Sequence, residues 1–123
     1  MSNSLIHSTA VITSGARLGD NIAIGPYAVI EENVFIDDGC EIGPHACIFP
    51  STSIGKNTVI HPFSEIRSSV IMDDVHIASS AHISHSIIGK GCIIGDNFST
   101  ISGKATIEID NEFKKLETPI GTM

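Results

Sequence analysis

Two histidines stand three residues apart in AHISHS, residues 81–86, and they are the side chains best suited to chemistry at neutral pH. On a helix, His82 and His85 would share a face and could hold a metal ion. Their surroundings argue for extended chain instead: isoleucines at 83, 87 and 88 are β-branched, serines lie between them, and Gly89 follows. No third ligand falls at a metal-binding spacing, so no metal site is expected. What the histidines can do therefore depends on the strands that carry them.

Those strands are written in a period of six. Every sixth residue from Ile6 is aliphatic: Ile6, Ile12, Leu18, Ile24, Ile30, Ile36, Ile42, Ile48, Ile54, Ile60 and Ile66. The phase slips by one to Ile71, Ile77 and Ile83, slips again to Ile88 and Ile94, and continues more loosely at Ile101 and Ile107. Two residues before each aliphatic sits a small or apolar residue, such as Ala10, Ala28, Cys40, Ala46 or Ser64. Alternation then gives in, out, in, and a turn. Six residues are too few for a hairpin but suit one wall of a coil that winds in one direction. Hexapeptide periodicity of this kind predicts an all-β, single-stranded parallel β-helix, with three walls to a coil and about six coils.

The rest of the chain agrees with one such domain over 1–123, coils covering about 6–109 and a charged, proline-containing capping segment about 110–119. Only 5% of residues are aromatic and Trp is absent, yet 41% are hydrophobic, so the interior must be built from Ile and Val. A formal net charge of −7 disfavours nucleic acid and anionic lipid. No apolar run is long enough to span a bilayer, and the first residues, MSNSLIHSTA, lack the basic start of a signal peptide, so no membrane insertion and a cytoplasmic location are expected. Three cysteines, Cys40, Cys47 and Cys92, suggest neither a disulfide framework nor a zinc site. Cys40 and Cys92 take inward sites, whereas Cys47 faces outward.

Residues one coil apart must lie above one another. One outward column reads Val11, Val29, Cys47, Glu65, His82; the next Arg17, Phe35, Ser53, Val70, Ile87; the third Ala23, Glu41, Val59, His76, Ile93. Glu65 thus sits one rung from His82, close enough for its carboxylate to hold the imidazole. His85 falls in a shortened turn, at the edge of the column carrying Phe35, Val70 and Ile87. That apolar stripe is the expected contact with another subunit.

The segments IHSTAVI, IGPYAVI, IGPHACI and IHPFSEI, between residues 6 and 66, resemble the opening coils of bacterial UDP-N-acetylglucosamine O-acyltransferases. RSSVIMDDVHI and SHSIIGKGCIIGDN, between 66 and 98, resemble the β-helical tails of sugar-1-phosphate nucleotidylyltransferases and related N-acetyltransferases. Both belong to the left-handed β-helix hexapeptide-repeat superfamily, and left-handedness and a homotrimer are what this resemblance implies. AHISHS is similar to the acyltransferases' His-x-x-His-Asp segment, with Ser86 in place of the acid. Carried over, His85 is the general base toward a sugar hydroxyl and His82 a supporting or substrate-contacting group, with Glu65 placed one rung away by the spacing.

The resemblance implies an acyl- or acetyltransferase acting on a nucleotide sugar or related sugar. It would bind no cofactor tightly and would use an acyl-CoA or acyl-carrier-protein thioester as co-substrate. Such a donor or a nucleotide diphosphate needs cations, and Arg67 and Lys90, both in turns of the later coils, are the candidates. The alternative is a non-catalytic trimeric scaffold, or a truncated member that serves assembly.

Overall fold

In a computed structural model of the chain, residues 3–100 and the backbone of 105–107 are described. Every described element is a strand, and the chain winds as a left-handed parallel β-helix with three flat walls. Each strand is short because each spans one wall before the chain must turn.

The first wall stacks Leu5–Ile6, Ala23–Ile24, Glu41–Ile42, Val59–Ile60, His76–Ile77 and Ile93–Ile94. The second stacks Val11–Ile12, Val29–Ile30, Cys47–Ile48, Glu65–Arg67 and His82–Ser84; the third stacks Arg17–Leu18, Val34–Ile36, Thr52–Ile54, Val70–Ile71, Ser86–Ile88 and Ala105–Ile107. All pairings are parallel. Leu5 pairs with Ala23, Val29 with Cys47 and Phe35 with Ser53, which is the eighteen-residue coil expected from three hexads.

The two phase slips do not disturb register. Glu65 pairs with His82 and Ile66 with Ile83; Val70 pairs with Ile87 and Ile71 with Ile88. The missing residue is taken from the corner between the second and third walls, so the strands stay aligned.

The coil count is lower than the sequence reading, about five turns instead of about six. Among the described residues the second wall has five strands, and beyond His82–Ser84 its pairing shrinks to a single bridge between His82 and Ser99. Ile107 does belong to a strand, paired with Ile88. Ile101 and the capping segment 110–119 lie outside the described residues.

The isoleucines form one continuous column system at the centre. Ile30, Ile36, Ile48, Ile54, Ile66, Ile77, Ile88 and Ile94 are fully buried, and Cys40 and Cys92 are buried among them, as inward sites require. Burying one such side chain contributes on the order of 1.5–3 kcal/mol, and identical side chains repeated at the ~4.8 Å strand spacing interdigitate without aromatic bulk. That is how so small a chain manages with so few large rings. Among the described residues no helix is long and apolar enough to cross a membrane.

From Asn21 onward, the described corners each carry a residue in the left-handed region that turns the chain. Asn21, Asn33, Asn57, Asp74 and Asn97 serve at several corners, residue types that tolerate positive φ at low cost. Aromatic side chains at this position, at Tyr27, His45 and Phe63, are less expected.

Candidate functional site

The second wall carries the residues singled out by spacing. Its outward column runs Val11, Val29, Cys47, Glu65, His82, every neighbour in register. Glu65 lies between an imidazole and a guanidinium. Its Oε2 is 3.9 Å from His82 Nε2, and its Oε1 is 3.5 Å from an Arg67 guanidinium nitrogen. Glu65 and Arg67 leave the same strand two residues apart and so point to one side of the wall.

Arg67 has a second support that sequence reasoning missed. Its guanidinium lies over the Phe49 ring, 4.3 Å from the centroid, which fixes the plane of the fork. Phe49 precedes Arg67 by one coil, so an aromatic–arginine pair at eighteen residues was the available signal.

Around this group lies an open cleft of about 270 Å³, lined by Glu65, Arg67, His82, Ile83, Ser84 and Thr100. The Ser84 backbone N–H donates to Thr100 Oγ1 at 2.9 Å, and the Thr100 N–H donates to the His82 carbonyl at 3.0 Å, so the cleft wall is tied together. The cleft is polar, exposed, and holds a carboxylate, an imidazole, a guanidinium and two hydroxyls.

His85 stands at the adjoining corner. Its φ is 51°, its backbone N–H donates to the Arg67 carbonyl at 3.1 Å, and its imidazole is exposed. Among the described residues that ring makes no hydrogen bond, which leaves it available as a base.

The shortened corner is held by a serine ladder. Ser69 Oγ donates to the Arg67 carbonyl at 2.7 Å and accepts from the Ser86 N–H at 3.1 Å, and Ser86 Oγ donates to the Ser84 carbonyl at 2.8 Å. Ser86 is therefore buried and structural, and does not stand in for an acid beside His85.

Lys90 is not part of this group. It lies at the other end of the strand Ser86–Ile88, in the corner where the following Gly91 N–H donates to the Asp73 carbonyl. His85 and Lys90 thus flank the third wall, with Ile87 between them. Phe35, Val70 and Ile87 face outward there, each close to 45% exposed.

Cys47, one rung before Glu65, is half-buried. Burial pushes its thiol above the usual range, and the carboxylates of Glu65 and Glu31 push it further, so it is not an activated nucleophile. Burial takes Cys40 up to about 11. Among the described residues no three acidic, histidine or cysteine side chains come together to hold a metal ion.

Comparison with known proteins adds three findings. The family model for the GMPPB C-terminal domain matches residues 30–113. The acyl-[acyl-carrier-protein]--UDP-N-acetylglucosamine O-acyltransferase of Rickettsia peacockii is 52% identical over 66 residues, 54% of this chain and 25% of that protein. The enzyme of the same name from Bartonella bacilliformis is 36% identical over 106 residues, 86% of this chain and 37% of that protein. The chain thus spans between a quarter and somewhat over a third of the length of these curated relatives. Among solved structures, LpxA from Acinetobacter baumannii superposes with a TM-score of 0.54 at 23% identity, over 85% of this chain and 62% of that one, a likeness of fold.

Proposed function

The chain belongs to the family of the GMPPB C-terminal domain, and from that premise we propose that it transfers an acyl group from a thioester to a nucleotide sugar or related sugar. The observation that carries this reading is the cleft in which Glu65 bridges His82 and Arg67 beside the exposed His85. The relatives named as UDP-N-acetylglucosamine O-acyltransferases support the reaction class and the acyl-carrier-protein or CoA thioester as donor.

In this reaction a neutral His85 nitrogen takes the proton of the acceptor hydroxyl as that oxygen attacks the thioester carbonyl. The carbonyl π pair moves to oxygen, then returns to expel the thiolate, which collects the proton from His85. An ester and a free thiol result, and the imidazole ends neutral. His82, held by Glu65, orients the acceptor through its ring N–H. Arg67, held flat by Phe49, and Lys90, at the far edge of the third wall, offer charge to phosphate oxygens.

The subunits form a homotrimer through the Phe35, Val70 and Ile87 face, so that His85 of one copy lies at the joint with the next. The free thiols Cys40 and Cys47 suit a reducing compartment, and we place the protein in the cytoplasm.

The test is acyl transfer to UDP-sugars from acyl-CoA and from acyl-carrier protein, read by mass spectrometry of the product. His85→Asn keeps a residue that tolerates the corner's positive φ but removes the base. Turnover falls by about 10²- to 10⁴-fold while the thermal midpoint holds. Unchanged turnover removes His85 from the mechanism. A second reading, a trimeric scaffold without catalysis, is favoured by the apolar third wall alone. It takes over if the protein assembles and no thioester or nucleotide sugar raises its melting temperature.

A further inference from the structure

The edge between the first and second walls carries a column of rings that the proposed reaction does not use. Tyr27 stacks on His45 with centroids 5.2 Å apart and planes inclined by 19°, and His45 stacks on Phe63 at 4.9 Å and 5°. All three occupy the left-handed corner position, with φ of 61°, 60° and 66°. That backbone disfavours bulky side chains, and the other described corners with positive φ use Asn, Asp, Ser, Gly or His85. Three aromatics kept in one column against that cost need a reason beyond turning the chain.

Rings stacked face to face show solvent their edges along the column and a free face only at each end. The two end residues, Tyr27 and Phe63, are 58% and 57% exposed. At the Tyr27 end the next rung is filled: Thr9 Oγ1 accepts from the Tyr27 N–H at 3.0 Å and is itself held by His7 Nδ1 at 2.9 Å. At the Phe63 end it is not. The equivalent residue is Ser80, whose N–H donates to the Pro62 carbonyl as Phe63 donates to Pro44 and His45 to Pro26. One rung further stands Asn97, in the same backbone conformation, with an exposed side chain. The exposed Phe63 ring is thus followed along this corner column by a small side chain, Ser80, and then by the exposed Asn97 amide, which leaves a slot for a flat ring to stack on Phe63. This corner leads into the strands that carry the cleft, since Glu65 follows Phe63 by two residues and His82 follows Ser80 by two.

We propose that this slot binds a nucleobase, stacked on Phe63 as the fourth ring of the column. A base is flat, presents a π-face at the spacing the column already uses, and carries donors and acceptors on its edge for Ser80 and Asn97. The net charge of −7 disfavours a polynucleotide, so the ligand is a mononucleotide unit. The inference rests on the nucleotide-sugar and thioester reading, since both substrates bring a base: the nucleotide sugar its own, and CoA its adenine.

Titration of the full chain with UDP, and separately with CoA, followed by proton NMR without any second substrate, tests the slot and tells the two sources apart. Base protons of the nucleotide that binds move upfield through the Phe63 ring current. Phe63→Asn, which suits the corner backbone, weakens binding about tenfold or more, the loss expected for one base–aromatic stack, and Phe63→Tyr restores it. Ser80→Phe, a residue this column already accepts, fills the slot and abolishes binding. Equal affinity in Phe63→Asn overturns the proposal, as does binding that survives Ser80→Phe, or no binding of either nucleotide to the unaltered protein. A change in subunit stoichiometry in Phe63→Asn with affinity intact assigns the column to contact between copies and also overturns it. Failure of the transfer reading looks different. Nucleotide binding that depends on Phe63 without any acyl transfer leaves the slot standing and removes the reaction, whereas transfer with an unaltered KM in Phe63→Asn does the reverse.

Discussion

The inner hydroxyls at the corner between the second and third walls divide by turn length. Ser69 and Ser86 follow shortened turns, and each reaches the carbonyl two residues back, of Arg67 and Ser84. Thr52, one rung earlier in the same column, follows a full-length turn; it is 2% exposed and its Oγ1 makes no hydrogen bond. Val34 fills that site one rung before, so a valine fits the space. Thr52→Val should therefore stabilise the protein by about 1 kcal/mol, because it removes a desolvated hydroxyl and keeps the shape. Ser69→Ala should cost about 1–3 kcal/mol, since it strands the buried Ser86 N–H, while the Arg67 carbonyl keeps its bond from the His85 N–H. Denaturant titration reads both, and opposite signs are the expected result; equal small losses would mean that turn length does not govern these hydroxyls. Glu65 makes a separate prediction through Cys47. Its charge raises the Cys47 thiol, so Glu65→Gln moves the titration down and increases the thiolate fraction at a given pH. Iodoacetamide labelling of Cys47 at pH 8 should quicken in that variant while Cys40, up at about 11, stays unreactive. An unchanged Cys47 rate would show that burial alone sets it.

Corners, more than strands, decide how closely the coils approach. At Gly43 an added Cβ would lie 2.8 Å from the Pro62 nitrogen and 3.0 Å from the His61 carbonyl carbon, both backbone of the next coil. That coil cannot retreat without stretching the 2.7 Å bond from the Gly43 N–H to the Ile60 carbonyl. Gly43→Ala should thus cost about 1–3 kcal/mol and lower the melting midpoint by several degrees; a thermal scan matching the unaltered protein would contradict the close approach. The same contrast explains what the sequence made legible. A spacing of six fixes which side chains point inward and which lie above one another, so Glu65 over His82 and Val70 over Ile87 could be read directly. Corner side chains obey no such alternation. Their direction comes from the left-handed residue that most turns carry, and the stacking of Tyr27, His45 and Phe63 followed only from coordinates, although their eighteen-residue spacing was in view. Arg67 over Phe49 escaped for the same reason. Lys90 was grouped with Arg67 because both were expected in turns, but Arg67 ends the strand Glu65–Arg67 on the second wall and Lys90 lies in the turn after the third wall.

At the scale of the whole molecule, the proposed homotrimer requires one wall to meet another copy. The third wall offers Phe35, Val70 and Ile87 in one column, two of them on adjacent rungs, while the first wall offers Leu5 and Ile93 at its two ends with Ala23, Glu41, Val59 and His76 between. Val70 and Ile87 on adjacent rungs, with Phe35 beyond Ser53, lose more water-exposed area in one contact than residues at opposite ends of a wall do. In a closed threefold ring each third wall packs against a different surface of its neighbour, so a single substitution is repeated at all three joints. Ile87→Asp places a carboxylate at the centre of each joint, between the corners of His85 and Lys90, and should convert the assembly to monomers by native mass spectrometry at micromolar protein. Ile93→Asp makes the same change at equal exposure on the first wall and should leave the trimer whole. If Ile87→Asp keeps the stoichiometry and Ile93→Asp loses it, the joint lies on the first wall. His85 would then stand away from it, and a catalytic site completed by a neighbouring subunit would have to be sought around His61 and His76, whose rings lie 6.5 Å apart on that side.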